Sequence, residues 1–154
     1  MSTQFGCKKN TVEPQVDHTT KYIPLDIGQT WTYQMDSIHF SGFSDQNPDT
    51  FSYLIKNVVA DSFTNNAGYK EYRIERWYKI DSMDWKFARN FSEYRTELEY
   101  IRKDFDLREI VMSLPISFEK LWDGNLLNTR DEADFYYEEV HVPNTINDNI
   151  YDST

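Results

Sequence analysis

Cysteine is almost missing from this chain: Cys7 is the only one in 154 residues. A single cysteine excludes an internal disulfide and any cysteine-based zinc site. Glycine and proline are scarce, at five each, which excludes a collagen-like repeat or a linker composition. Positive charge is in deficit. Sixteen Lys and Arg face 26 Asp and Glu, giving a formal net charge of −10. Such a chain repels phosphate backbones and anionic lipid, so no nucleic acid and no bare membrane surface is expected as a partner. No apolar run approaches the roughly 20 residues of a spanning helix. A Gly-x-Ser-x-Gly elbow, a phosphate-cradling Gly-rich loop and a His-Glu-x-x-His pair are also absent, which removes the commonest enzyme signatures.

What the chain has in excess is aromatic side chains. Four Trp, eleven Tyr and ten Phe make up 16% of it. With Val, Ile and Thr they favour pleated, half-buried surfaces. A domain of this size buries roughly 68–70% of its unfolded surface, enough to fold without crosslinks.

Period-two alternation runs through most of the sequence and predicts strands with one dry face. Trp31, Tyr33 and Met35 alternate with Thr30, Thr32 and Gln34. Phe51, Tyr53 and Ile55 alternate with Ser52, Leu54 and Lys56. The Thr64–Gly68 cluster predicts a hairpin turn into a third strand. There Tyr72, Ile74, Tyr78 and Ile80 share one face, and Arg73, Glu75, Trp77 and Lys79 share the other. Trp85, Phe87, Arg89 and Phe91 predict a fourth strand. Residues 93–103 fit both one helix face and a strand; the flanking strands favour strand–turn–strand, with the turn at Arg102-Lys103-Asp104 and the return at 107–114. Phe135, Tyr137, Glu139 and His141 predict another strand. The expected architecture is all-β with little helix. About seven strands form a curved antiparallel sheet that closes into a partial barrel or sandwich. The expected organisation is a polar tether over 1–20, one β domain over 21–143, and a polar tail or truncated strand over 144–154.

Pro115–Trp122 repeats the layout of Pro24–Trp31: Pro, aliphatic, polar, apolar, then Trp seven residues after Pro. Chance spacing is the alternative to a pseudo-repeat.

Two segments carry a resemblance. Gly6-Cys7-Lys8-Lys9 followed by a polar tether resembles the mature start of bacterial envelope lipoproteins of the Bacteroidetes type. Tyr22-x-Pro24-Leu25-x-x-Gly28-x-x-Trp31-x-Tyr33 is similar to the opening of the β domain in many uncharacterised members of that group. The match is close over about twelve residues. Tyr72–Arg76 and Trp122–Asn125 fit the same group loosely. The resemblance implies a lipid anchor on Cys7, the only membrane link expected, and a β-rich envelope domain of the outer membrane or periplasm. A free thiol in a tether is the other reading of Cys7. Only six residues precede it, Gln4 stands where Leu is usual, and more strands commonly follow in such proteins. The resemblance supplies no catalytic residues.

Candidate chemistry is thin. Asp45–Asp49 has oxygen ligands at alternate positions, yet Thr50 stands where a calcium loop needs Gly and no Glu follows at the twelfth position. His18, His39 and His141 are scattered. Glu138 and Glu139 point to opposite faces of a strand. No metal, cofactor or catalytic residue is expected. Exposed aromatics are the best candidates for a binding surface: Trp77 on the polar side of its strand, with Tyr78, Trp85 and Tyr136 nearby in composition. The alternative is that they fill the interior of a curved sheet. The leading functional expectation is a non-catalytic binding module for an apolar or glycan-like ligand, or for an envelope protein. A structural component pairing through an open sheet edge, and a hydrolase using scattered carboxylates, are the alternatives.

Overall fold

The computed structural model describes residues 22–40, 49–140, 142–146 and 149–151. Cys7, the tether, the loop at 42–48, His18 and His141 lie outside the described residues. The chain is nearly all strand, as its alternation requires, and its main sheet curls into a half-barrel. Six strands form that sheet: β1 (Thr30–His39), β2 (Asp49–Thr64), β3 (Lys70–Lys79), β4 (Lys86–Arg95), β5 (Glu99–Asp104) and β6 (Leu107–Ser113). They lie in sequence order and each pairs antiparallel with the next. Two short ladders follow, β7 (Leu121–Asp123) with β8 (Asp134–Tyr136), and β9 (Asn144–Ile146) with β10 (Asn149–Tyr151). The last pair is a hairpin where the sequence suggests a polar tail or a strand cut short.

Both faces of the sheet bury side chains. Tyr94, Ile101 and Ile110 are buried on the face that Glu71 shares. The other face, across β1–β4, is the core face. Val59, Ile74 and Phe91 are buried there, and Leu25, Trp31 and Tyr72 pack against them. Trp31, Tyr33 and Met35 are half-buried while Thr30, Thr32 and Gln34 are exposed, so the first strand keeps the expected alternation. The core face also carries a polar row. Buried Asn57 accepts a 3.0 Å hydrogen bond from Arg76 Nε. The guanidinium groups of Arg76 and Arg102 lie 4.9 and 5.3 Å from the Phe91 ring centre. Arg102 pairs with Glu93 at 2.8 Å, and Tyr100 donates its hydroxyl to the same carboxylate. Burial, with the Glu93 charge beside it, pushes the Tyr100 phenol far above the ordinary tyrosine range. It therefore stays a donor.

Three register shifts break the simple alternation. Extra residues at Ala60 in β2, Ala88 in β4 and Val111 in β6 each turn the following side chains to the other face. Simple alternation predicts Phe87, Arg89 and Phe91 on one face; the Ala88 bulge separates Phe87 from the other two. The expected turn at Arg102-Lys103-Asp104 is not found. Those residues belong to β5, and the chain reverses at Phe105-Asp106, where Phe105 takes a left-handed φ of 53°. The helical alternative for this region is excluded.

From Asp26 and from Ser117 onward the two Pro-to-Trp segments share one hydrogen-bond pattern, although the bond before Pro115 is cis and that before Pro24 is not. Gly28 N–H bonds Val59 O, Val59 N–H bonds Gln29 O, and Gln29 N–H bonds Asp26 O. Glu119 N–H bonds Tyr137 O, Tyr137 N–H bonds Lys120 O, and Lys120 N–H bonds Ser117 O. The strand register beyond them also matches, Thr30 opposite Val58 and Leu121 opposite Tyr136. The pseudo-repeat is therefore a real structural equivalence. It places Glu119, at φ 57°, where the first copy has Gly28, at φ 90°. A non-glycine residue pays about 1–2 kcal/mol in that region, partly offset by the roughly 0.5–1 kcal/mol entropy loss of a glycine. Glu119→Gly is expected to stabilise the protein by about 0.5–1 kcal/mol. Gly28→Ala should destabilise it by about 1 kcal/mol, although open space surrounds that position. Chemical denaturation checks both signs.

Candidate aromatic binding surface

The face opposite the core carries the most aromatic surface near one end of β2–β4. Lys56 pairs with Trp77, and Trp77 pairs with Phe87, so the three stand abreast across β2, β3 and β4. The bulge at Ala88 makes this possible, because continuous alternation would send Phe87 to the core face with Phe91. The Trp77 and Phe87 rings meet edge-to-face, 5.4 Å apart at 78°, the arrangement their quadrupoles favour. Trp85, just ahead of β4, joins them through Lys56. That ammonium sits 4.5 Å from the Trp85 ring centre and 5.8 Å from that of Trp77. Phe87 is 49% and Leu54 38% exposed beside the two half-buried indoles. The result is an open apolar ledge capped by one movable cation, each cation–π contact contributing about 0.5–1 kcal/mol at an exposed position.

Of the expected site residues, Trp77 and Trp85 come together here. Tyr78 does not: it stands opposite Ile55 and shares the core face. Neighbours in a strand point to opposite faces, so Trp77 and Tyr78 cannot share one surface. Tyr136 is also elsewhere, exposed on β8 opposite Leu121. Lys56, Leu54 and Phe87 complete the ledge. Their signal lies in cross-strand register, which no single strand encodes.

Farther along the same face, Arg73 bridges Asp61 at 2.9 Å and Glu75 at 2.7 Å. Beyond it Glu71 is fully buried, accepting hydrogen bonds from Ser92 (2.5 Å), Lys103 (2.9 Å) and Asn65 (3.0 Å). Burial alone would raise its pKa, but the three donors outweigh burial and hold it below the usual carboxylate range. Glu93, the other buried carboxylate, belongs to the core face, since it stands opposite Tyr72 while Glu71 stands opposite Tyr94. The two therefore do not face each other across a cleft, the arrangement a carboxylate-pair hydrolase needs. Among the described residues, no three His, Cys, Asp or Glu converge on a point that could hold a metal.

Comparison with family models, curated proteins and solved structures returns no match.

Proposed function

We propose that this chain is a non-catalytic binding domain of the cell envelope that takes a glycan chain on the Trp77–Trp85–Phe87 ledge. One observation supports this above others: two indoles and a phenyl ring gather on the open face of a sheet, away from the core they would otherwise fill. The C–H faces of sugar rings pack on exposed aromatic rings, and the hydroxyls at their rims need donors such as Lys56. An open ledge suits a long, partly hydrated ligand better than a small apolar one, which needs enclosure. The envelope setting, with lipid anchoring at Cys7, comes from the lipoprotein-like Cys7-Lys8-Lys9 and Tyr22–Tyr33 segments.

The test is calorimetric titration with β-1,4-linked hexasaccharides of glucose and of N-acetylglucosamine. Trp77→Ala and Trp85→Ala should each weaken binding by about tenfold, on the order of 1.4 kcal/mol. Tyr136→Ala should leave it unchanged. Equal affinity in all variants, or no binding by the unaltered protein, removes this reading.

A second reading has its own support. The outer edge of β1 pairs with no strand among the described residues. Its ten residues hold one carboxylate, Asp36, and neither Lys nor Pro, so the usual guards against edge pairing are missing. An assembly component that adds a partner's strand to β1 fits that edge.

A further inference from the structure

The geometry points to a second site, on the same face but at the opposite end of the strands: a cleft that binds the oxyanion of a small organic molecule. The cleft has a volume of about 350 Å³ and lies beside the β2–β3 turn, with Phe63, Asn66, Tyr94, Lys103 and Arg108 among its lining residues. The cleft is open to solvent, so charge and one apolar wall, not enclosure, would hold a ligand there.

Three features converge on an anion. First, Lys103 and Arg108 stand directly opposite each other in the β5–β6 ladder. Like charges in that position repel and destabilise a sheet. In a chain with net charge −10, the two cations meet at the cleft with one carboxylate, Glu71, bonded to Lys103, which leaves one positive charge in excess. Second, the two cations differ in their partners. Lys103 is held by buried Glu71 at 2.9 Å, which fixes its ammonium beside the cleft while its side chain remains 39% exposed. Arg108 is exposed and makes no ion pair among the described residues. Glu71 compensates Lys103 and leaves Arg108 uncompensated; an oxyanion there would gain the paired donors of its guanidinium. Third, Phe63 gives the cleft an apolar wall, with the edge of largely buried Tyr94 beside it. Phe63 is half exposed, and Tyr94 is stiffened by stacking on Tyr69 with centroids 5.9 Å apart. A bare inorganic ion uses none of that surface, whereas an aromatic carboxylate or phosphate ester uses both parts.

The site is independent of the glycan ledge. From Glu71 to Trp77 the strand advances six residues, about 20 Å, and the Arg73 network lies between. The proposal is tested by NMR titration of the full chain with phenyl phosphate, benzoate, inorganic phosphate and phenol. Phenyl phosphate and benzoate should shift the amides of 63–67, 103 and 108 and bind more tightly than inorganic phosphate or phenol. Arg108→Ala should weaken both by about tenfold, as the loss of a charge-assisted hydrogen bond predicts, and Arg108→Lys by less. Trp77→Ala should leave them unchanged, which separates this site from the ledge. Shifts confined to other residues, no saturable shift at all, or equal affinity in Arg108→Ala would each overturn the assignment.

Discussion

Truncating Ile74 to Ala should destabilise the protein by about 3–4 kcal/mol and lower its Tm by roughly 6–15 °C. Ile74 has no solvent exposure and stands between Val59 on β2 and Phe91 on β4, the other two fully core residues of this cluster. The lost methyl groups leave a void bordered by paired strands on both sides, which have little freedom to close in. Leu25 and Trp31 reach the same cluster from the segment before the sheet. The variant should therefore also loosen Trp31, seen as a change in its fluorescence below the unfolding transition. A loss under 1 kcal/mol would mean that the core lies elsewhere.

Removing Arg102 should cost about 2–3 kcal/mol, because it leaves the Glu93 carboxylate buried with only Tyr100 as a donor. This is set below the usual loss for a broken buried pair, since the Arg102 side chain is 34% exposed while that of Glu93 is 2% exposed. The pair itself need not be strongly stabilising. Arg102→Met combined with Glu93→Gln keeps an acceptor for Tyr100 and buries no charge, so the double variant should regain more than half of what Arg102→Met loses. Denaturant midpoints across the four proteins measure this coupling. Losses that simply add would show that Arg102 and Glu93 act independently.

Much of the fold was legible from the spacing of aromatic and β-branched residues. Alternation located β1–β4 and β6 and gave the correct face for β1, for β2 up to Ala60 and for β3. It missed the short β7, β9 and β10, and the strand expected over 135–141 is only Asp134–Tyr136. The bulges were not legible. Ala60, Ala88 and Val111 look like ordinary strand residues, and only pairing with a neighbour shows that one residue is surplus. The β5 error has a chemical origin. Arg102 and Lys103 look like a polar turn in isolation, yet they supply the cations for Glu93 and Glu71, two carboxylates whose burial has no local signature. The turn instead falls on Phe105, a residue type that rarely accepts positive φ. The binding surface was legible in part. Trp77 stood out because its strand neighbours on that face are charged, whereas its meeting with Phe87 depended on the Ala88 bulge. The equivalence of Pro24–Trp31 and Pro115–Trp122 was visible as spacing, and its shared hydrogen bonds turn that spacing into geometry.

Four tryptophans make the central claim directly measurable. With the indole N–H resonances of Trp31, Trp77, Trp85 and Trp122 assigned, the protein is titrated with the N-acetylglucosamine and glucose hexasaccharides. Saturable movement of the Trp77 and Trp85 signals is expected with at least one sugar, while Trp31, packed on the core, and Trp122, bonded to the Ile110 carbonyl, stay in place. Movement of Trp31 or Trp122 alone, or four stationary signals with both sugars, would contradict a glycan-binding ledge at Trp77, Trp85 and Phe87.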